Sequence, residues 1–461
     1  MLLIKGGFVY GETLGVADVL VKNGRIIAVS EDIRTDVLIK DGRIVDISGD
    51  LRGDIRENVH DDNSEDTWDI GVGEPVTVID APGLIVAPGL VDIHTHFRDP
   101  GFEYKEDILT GAGAAAAGGV TVCCCMPNTF PVADNTATLG YMIDKAKDAP
   151  VRVLPYGAVT IGQRGMEQTD FEALKAAGAV AVSDDGNPVQ SADVMRRAMR
   201  LAREAGLVIV SHCEDREMVR DYAVNEGVVS RRIGLPGRPA IAEEIMVARD
   251  AMLAMETGAR VHIAHVSTAG SVDIVRRAKA EGAMITAETC PQYFALTEDE
   301  ILRRWALARV NPPLRTARDV EAIIRGLADG TIDVIATDHA PHSADEKVLP
   351  LDKAPSGMIG LETSLALALE FLYHTRKLEM DRIIELMSSN PARIMGIEGG
   401  KLAVGGMADI VIFDPEEAWT VDPSMFKSKA RNTPFSGMRL RGKVRHTISR
   451  GNLVYSTLRA K

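Results

Sequence analysis

Seven of the ten histidines in this 461-residue chain fall in four short segments, where imidazoles and carboxylates could together bind metal ions. His94 and His96 share one face of a predicted strand, because alternate strand residues point the same way, so both imidazoles can reach one ion. Asp184 and Asp185 end another predicted strand. The other histidines of the four segments are His212, His262, His265, His339 and His342, and Asp338 precedes His339. Imidazole and carboxylate ligands without thiolates favour zinc or a similar divalent ion, and this inventory suffices for two ions that activate water for hydrolysis.

Each of these residues taken alone also has an ordinary structural explanation. A His-x-His pair is often structural, and an aspartate at a strand end commonly caps a turn or a helix. The segments nevertheless share one position, since each lies at the carboxyl end of a predicted strand. Barrel enzymes carry their catalytic side chains at that end of the strands, so the shared position favours an active site.

Predicted strands alternate with predicted helices between residues 85 and 398. Apolar, β-branched runs predict strands at 90–94, 120–125, 151–156, 180–183, 208–212, 261–265, 284–289 and 333–336, and helix-like stretches include 192–204, 240–257, 271–281 and 320–327. Roughly eight strands, each followed by a helix, predict an α/β fold, a (β/α)8 TIM-like barrel over residues 85–398. A doubly wound open sheet is the alternative, and it is disfavoured because no Gly-x-Gly-x-x-Gly turn follows an early strand.

The two chain ends have the composition of β structure. Residues 18–30 and 36–48 are an internal repeat, in which β-branched runs flank an Asn-Gly and an Asp-Gly pair. Such pairs tolerate positive φ and predict two tandem hairpins. Residues 49–75 are rich in Asp and Glu and predict a solvated acidic loop. Because strand-like runs return after residue 399, residues 1–84 and 399–461 are predicted to form one smaller β-sandwich domain beside the barrel.

Charge and cysteine content exclude several classes of protein. Lys and Arg number 52 against 66 Asp and Glu, giving a net charge of −14, which argues against a general binder of nucleic acid or of anionic membranes. The five cysteines are odd in number and three are consecutive, so they predict no disulfide framework. These features predict a soluble cytoplasmic protein with buried, reduced cysteines.

Several motifs resemble the amidohydrolase superfamily and, within it, the type I dihydroorotases. They lie at residues 91–101, 126–129, 183–186, 211–215, 264–268, 311–315, 335–342, 360–362 and 429–435. The resemblance extends over nearly the whole chain. It implies a hydrolase that reversibly cyclises N-carbamoyl-L-aspartate to L-dihydroorotate with release of water, a step of pyrimidine biosynthesis.

The resemblance also implies roles for individual residues. His94, His96 and Asp338 would hold one zinc ion, His212 and His265 the second, and Asp185 would bridge the two. Asp338 would in addition be the catalytic residue, carrying a proton between the attacking hydroxide and the leaving ring nitrogen. Substrate contacts are implied for His96, Arg98, Asn128, Asn311, His342, Ser356 and Gly357.

One sequence feature separates this chain from other members of the superfamily. Hydantoinases and allantoinases bridge their metals with a carboxylated lysine at the end of the fourth barrel strand, whereas residues 180–185 contain no lysine and Lys175 lies earlier. This difference favours the dihydroorotases. Two alternatives stay open at this point: a hydantoinase- or allantoinase-like cyclic amidase, and a catalytically inactive homologue with a structural role.

The expected partners follow from the same resemblance. The expected substrate is a small molecule, and a homo-oligomer is expected. Some relatives associate with aspartate transcarbamoylase, and an association of this chain with that enzyme is left open by the sequence. The family pattern has one hairpin before residues 79–81, whereas this chain has two hairpins and the acidic loop. The catalytic motifs are intact, so this departure is expected to affect contacts between chains rather than the chemistry.

Overall fold

The computed structural model describes residues 1–11, 14–30, 37–40, 43–47 and 75–457, with side chains described for 1–11, 14–30 and 75–457. The predicted acidic loop at 49–75 therefore lies outside the described residues, except for Pro75. None of the helices in the described ranges is long and apolar enough to span a membrane.

The first part of the chain forms seven strands. These are β1 (Leu2–Tyr10), β2 (Leu14–Lys22), β3 (Arg25–Ser30), β4 (Val37–Lys40), β5 (Arg43–Ile47), β6 (Thr77–Asp80) and β7 (Ile85–Pro88). Strands β4 and β5 form a separate two-stranded sheet, and the others belong to one small sheet. Both predicted hairpins form: β2 pairs antiparallel with β3, and β4 with β5. In the first hairpin Asn23 and Gly24 have φ of 48° and 80°, the positive values that an Asn-Gly turn between twisted strands requires.

The middle of the chain supplies eight parallel strands. They are β8 (Leu90–Thr95), β9 (Val120–Cys125), β10 (Arg152–Pro155), β11 (Val182–Ser183), β12 (Ile209–Ser211), β15 (Val261–Ile263), β16 (Ile285–Thr289) and β17 (Val334–Ile335), with the short pair β13 (Val224–Asn225) and β14 (Gly237–Arg238) inserted after β12. Strands β8 to β10 form one sheet, and β11, β12, β15, β16 and β17 form the other. Parallel bridges from Gly157 to Val182 and from Thr95 to His339 join the two sheets at both edges, so the eight strands close into a barrel.

Helices return the chain from each barrel strand to the next. The longer ones are Ile108–Ala117, Thr136–Ala146, Phe171–Ala176, Ala192–Ala205, Ile241–Thr257, Ala269–Ala280 and Ala317–Asp329, and after β17 follow Ser364–Ala368, Met380–Ile384 and Asn390–Met395. The predicted (β/α)8 fold class is thereby confirmed. Shorter helices, among them Arg216–Val219, Val228–Ile233, Pro291–Ala295, Ile301–Arg304 and Ala344–Lys347, lie in the connections after β12, β16 and β17.

The C-terminal segment completes the small sheet beside the barrel. Strands β18 (Ile410–Thr420), β19 (Arg439–Ser449) and β20 (Asn452–Ser456) extend it in the order β20-β19-β18-β7-β1-β2-β3, with β6 on β1. The two chain ends meet where β18 pairs antiparallel with β7. Strand β7 belongs to this sheet, and only Gly89 separates it from β8, the first barrel strand. The domain boundaries after residues 84 and 398 stay predictions.

The three consecutive cysteines show how strand alternation fills the core. Cys124 packs inside the barrel with Ile93 and Tyr156, whereas Cys123 and Cys125 face the surrounding helices. All five cysteines are buried and free. Burial raises the pKa of the Cys124 thiol well above its ordinary value. These thiols are packing residues, and they leave the site chemistry to imidazoles and carboxylates.

Candidate active site

The chemistry-bearing side chains meet at the carboxyl end of the barrel. Six buried residues converge there from five different strands: His94 and His96 from β8, Asp185 after β11, His212 after β12, His265 after β15 and Asp338 after β17. His265 and Asp338 have positive φ, 36° and 47°. Non-glycine residues adopt this conformation at a cost, which is typical of functional sites whose surroundings fix the backbone.

Asp185 lies at the centre of this group. Its Oδ1 is 3.2 Å from His212 Nδ1, 3.5 Å from His265 Nε2 and 3.6 Å from His94 Nε2, and its Oδ2 is 3.5 Å from His96 Nε2. Two groups of potential metal ligands share this carboxylate, one with His94 and His96 and one with His212 and His265. A shared carboxylate between two histidine pairs is the arrangement expected for two neighbouring ions.

Asp338 contacts the first of these groups. Its Oδ1 lies 3.0 Å from His96 Nε2 and 3.5 Å from His94 Nε2. The neighbouring Asp184 points elsewhere, and its carboxylate accepts hydrogen bonds from Val159 N and Thr160 N. Asp184 therefore has a structural role, whereas Asp185 belongs to the site.

The donor set fits divalent metal ions. His94 Nε2 and Asp185 Oδ1 are buried without a hydrogen-bond partner, although such atoms are almost always paired in folded proteins. His212 Nδ1 and His265 Nε2 lie 2.7 Å apart and both face Asp185. Burial alone would raise the pKa of the Asp185 carboxyl, but the imidazoles of His94, His212 and His265 lower it well below its ordinary value. An ionised carboxylate facing imidazole nitrogens is suited to bind zinc or a similar ion.

A buried glutamate on β16 was not among the predicted site residues. Glu288 accepts a hydrogen bond from His94 Nδ1 with one oxygen, and its other oxygen lies 3.2 Å from His262 Nε2. Burial would raise the pKa of Glu288, but the two imidazoles hold it below its ordinary value. A carboxylate on Nδ1 fixes the tautomer of His94 and leaves Nε2 to face the site.

A second missed group fixes the other side of the site. Glu214 pairs with Arg238 at 2.7 Å, and both contact Asn311, whose Nδ2 lies 3.2 Å from Glu214 Oε2 and 3.3 Å from His212 Nε2. The short strands β13 and β14, inserted after β12, bring Arg238 to this position. The network orients the side-chain amide of Asn311 at the cavity wall.

The convergent residues line a cavity of about 200 Å³. Its wall includes every predicted substrate-binding residue, namely His96, Arg98, Asn128, Asn311, His342, Ser356 and Gly357, together with Asp185, His212, His265 and Asp338. We call Asp185, Asp338 and the four clustered histidines (His94, His96, His212 and His265) the acidic half; all of them except His94 line the cavity. We call the part formed by Arg98, His342, Ser356 and Gly357 the basic half.

Arg98 is the charged group of the basic half. Its Nε donates to Pro341 O at 3.3 Å, and the guanidinium forms no ion pair within the described part of the chain. A partly buried guanidinium without a carboxylate partner is well suited to bind an anion in the cavity. Asn128 lies beside it, with Oδ1 2.9 Å from His96 Nδ1.

His342 connects the basic half to the loop that contains Ser356. Its Nε2 donates to Ser356 O at 2.8 Å, and its Nδ1 lies 3.3 Å from Lys105 Nζ. Burial and the positive charges of Arg98 and Lys105 lower the pKa of His342, so the ring is neutral. Both ring nitrogens have protein partners here, so the contact with the substrate carboxylate that the resemblance implied would require His342 Nδ1 to exchange Lys105 for the substrate.

Asn432 holds the walls of the basic half together. Its Oδ1 accepts from His342 N at 3.1 Å, and its Nδ2 donates to Ala340 O and Gly357 O, each at 3.1 Å. Gly357 has φ of 133°, and a Cβ there would lie 2.7 Å from Ala340 Cβ, so glycine is required at this turn. The motif at 429–435 therefore supports the site from the far C-terminal segment.

The lysine that hydantoinase-like sites require is absent from the cavity wall in the described part of the chain. Lys175 lies in the helix Phe171–Ala176, and its Nζ donates to Ala205 O rather than to any site residue. Asp185 instead occupies the position between the two histidine pairs.

Comparison with solved structures identifies the class of the fold and site. L-Hydantoinase (dihydropyrimidinase) from Arthrobacter aurescens matches with a TM-score of 0.81 and 25% identity over 100% of this chain and 97% of that one. Dihydropyrimidinase from Brevibacillus agri matches with a TM-score of 0.79 and 22% identity over 98% and 95% of the two chains. The barrel, the sheet from both chain ends and the histidine–aspartate site define a cyclic amidohydrolase.

Comparison of sequences identifies the family. The family described as Dihydro-orotase-like matches residues 83–271. A dihydroorotase from Acetivibrio thermocellus is 47% identical over 457 residues, which are 98% of each chain. A dihydroorotase from Syntrophotalea carbinolica is 52% identical over 378 residues, which are 82% of this chain and 89% of that one. The chain belongs to the dihydroorotase family, as the sequence motifs predicted.

Proposed function

We propose that this protein is a dihydroorotase that reversibly cyclises N-carbamoyl-L-aspartate to L-dihydroorotate, with release of water, in pyrimidine biosynthesis. One observation carries the proposal beyond family membership. The cavity places an aspartate shared by two histidine pairs opposite Arg98, which has no ion pair within the described residues. Dihydroorotate joins a cyclic amide to a carboxylate, so it offers one group to each half.

The acidic half would hold two zinc ions. His94, His96 and Asp338 would bind the first, His212 and His265 the second, and Asp185 would bridge them. Zinc ions held there would act as Lewis acids on the amide carbonyl and lower the pKa of water. The orphaned His94 Nε2 and Asp185 Oδ1 support this assignment.

Asp338 would move the proton of the reaction. Its Oδ1 contacts His96 Nε2, and its carboxylate lines the cavity in which the amide must lie. In ring opening it would accept a proton from the attacking water and give it to the leaving ring nitrogen; in ring closure the transfer runs the other way. One carboxylate can serve both directions because it gives up in the second step the proton that it accepted in the first, so each complete turnover returns it to its ionised state.

The basic half would orient the substrate. Arg98 would pair with the substrate carboxylate, Asn128 and His342 would complete that end, and Asn311 with the backbone at Ser356 and Gly357 would bind the ring amides. The side-chain amide of Asn311 is held at the cavity wall by Glu214 and Arg238, which supports its part in this binding.

A substrate comparison tests the proposed function. Purified protein is loaded with zinc and assayed with dihydroorotate, hydantoin and allantoin, and N-carbamoyl-L-aspartate is supplied for the reverse direction. We expect turnover of dihydroorotate in both directions and little with the other two amides. Turnover of hydantoin or allantoin in preference to dihydroorotate would establish the cyclic-amidase alternative, and no turnover in metal-loaded protein would establish an inactive homologue.

We also propose a homo-oligomer in the cytoplasm. The outward face of the helix Ile241–Thr257 exposes Ile241, Ile245, Met252 and Met255, and such an apolar stripe is typical of a surface covered by another subunit. The free buried cysteines agree with a reducing compartment. Sedimentation of the native protein and of Met252→Lys tests the assembly: the variant should shift towards monomer.

A further inference from the structure

A buried lysine lies directly behind the wall of the basic half. Lys347 ends the helix Ala344–Lys347 and is 6% exposed. Its Nζ donates to Pro355 O and Gly357 O at 2.9 Å each, and to Arg309 O at 3.4 Å. Gly357 lines the cavity, so one peptide group separates the ammonium from the space where substrate would lie.

We propose that Lys347 determines the preference for an anionic substrate, by holding an uncompensated positive charge behind the wall formed by Ser356 and Gly357. This inference rests on the proposed function, since it concerns the carboxylate of dihydroorotate. Lys347 touches no reacting atom, so it acts through the wall as a specificity-determining residue.

The charge of Lys347 has no carboxylate partner in the described part of the chain. The adjacent Glu346 pairs with Lys105 instead, at 2.7 Å. Arg309, which lies beside Lys347, also forms no ion pair there; its Nε donates to Ser356 Oγ at 3.3 Å. Buried charges are costly unless an opposite charge offsets them. Two buried cations behind one wall are therefore best explained by an anion on the other side of it.

The acidic half would give a substrate carboxylate no net attraction. It contains Asp185 and Asp338, with Glu288 and Glu214 directly behind its histidines. Two zinc ions would carry as much positive charge as these four carboxylates carry negative charge, so this half would offer no surplus positive charge to another anion. Cations behind the wall of the basic half orient the anion, whereas a neutral cyclic amide has no need of them.

The protonation of Lys347 supplies a second measurable property. Burial and, to a smaller extent, the positive charge of Arg309 lower the pKa of Lys347 to about 7, with Glu346 opposing. Around Lys347 the titratable and charged groups are Arg309, Glu346 and His342, and behind them lie Lys105, Arg98 and Asp352. Because a lysine is charged below its pKa, affinity for an anionic substrate should fall as the pH rises above 7.

Lys347→Met removes the charge and keeps the length of the side chain. Two of the three carbonyls keep another donor, since Gly357 O still accepts from Asn432 Nδ2 and Arg309 O from Gly357 N. The variant should therefore fold. Lys353→Met is the matched control, because Lys353 is a solvent-exposed lysine on the same loop.

The experiment compares an anionic ligand with a neutral one on the same ring. For Lys347→Met, KM for dihydroorotate should rise about 10- to 100-fold with kcat within about threefold, as expected when a charged partner of bound substrate is lost. The inhibition constant of 5,6-dihydrouracil, which lacks the carboxylate, should stay within about threefold. The rise of the wild-type KM above pH 7 should disappear in the variant, and Lys353→Met should match the wild type.

Two results would overturn the inference. An unchanged KM for dihydroorotate would show that the charge does not reach the substrate, and an equal loss for dihydroorotate and 5,6-dihydrouracil would show that Lys347 only supports the turn. Calorimetry gives the same comparison without turnover, as the ratio of the affinities of the wild type and of Lys347→Met for dihydroorotate. Failure of the wild type to convert dihydroorotate would count against the proposed function, while the binding ratio would still decide the role of Lys347.

Discussion

The acidic and basic halves of the cavity differ in charge and in the chain segments that build them. The acidic half takes its side chains from the ends of barrel strands, each held by the hydrogen bonds of the barrel. The basic half depends on loops after β8 and β17, and Asn432 reaches it from the far C-terminal segment. We infer that the barrel fixes the reacting groups rigidly, whereas loops and their buried supports determine which amide is held against them.

Substitution of Asp338 should produce the largest effect and should leave the basic half intact. Asp338→Asn keeps the shape and an oxygen, but its amide cannot accept a proton near neutral pH. Loss of a general acid–base group typically costs about 10²- to 10⁴-fold, so kcat should fall by about that much in both directions. Initial rates with dihydroorotate and with N-carbamoyl-L-aspartate measure this effect.

Binding supplies the control for this variant. Calorimetry should show that Asp338→Asn still binds dihydroorotate, because Arg98 and Asn128 remain. Near-normal turnover with metal still bound would mean that the proton carrier is another residue of the acidic half.

Glu288→Gln probes the support behind the acidic half. Glutamine has one oxygen, so it cannot accept from both His94 and His262, and it removes the negative charge that favours metal binding by His94. Zinc affinity, measured by competition with a chelating dye, should fall about 10- to 100-fold. Glu281→Gln, on the barrel exterior, is the control. Unchanged zinc affinity in Glu288→Gln would show that the carboxylate serves packing alone.

Arg98→Ala should affect binding more than chemistry. The change removes the charge-assisted anchor of the substrate carboxylate, so KM for dihydroorotate should rise about 10- to 100-fold while kcat falls much less. Steady-state kinetics with a parallel zinc determination separates this result from metal loss. A large fall in kcat with an unchanged KM would contradict the division of the cavity into two halves.

Asn432→Ala should give the smallest effect. It removes two donated hydrogen bonds and one accepted bond that join the loops of the basic half, but none that touches the acidic half. KM for dihydroorotate should rise about 3- to 10-fold, and zinc content should stay the same. A reduced zinc content would show that the two halves are mechanically coupled.

The sequence predicted the residues of the acidic half better than the residues that hold them in place. Residues 120–125 were predicted as a strand and form β9, and the other barrel strands lie within a few residues of their predictions, because short apolar runs between helices leave few other arrangements. His94 and His96 could be recognised because their spacing places both on one strand face and because other histidines follow the ends of other predicted strands. Glu288 lies inside a predicted strand, and its one sequence signal was a charge within an otherwise uncharged run.

The prediction of the basic half depended more on the family resemblance than on physical reasoning. Arg98 was recognised as an anchor. Asn432 contacts residues 75 to 92 positions away and Lys347 contacts residues 8 to 38 positions away, and a single sequence shows neither set of contacts. The role of Lys347 becomes visible only when its three carbonyl partners are known. Residues 429–435 match a family motif, and the hydrogen bonds of Asn432 show what this segment holds in place.

We propose that Asp185 bridges two metal ions in the acidic half, and the ratio of bound zinc to protein is the measurement that decides it. Metal-free protein is titrated with zinc, and bound metal (by elemental analysis) and dihydroorotate turnover are measured on the same samples. We expect two zinc ions per chain at full activity, and the same titration of Asp185→Ala should give fewer ions and little turnover. Full activity with one ion or fewer per chain would show that Asp185 does not bridge two ions.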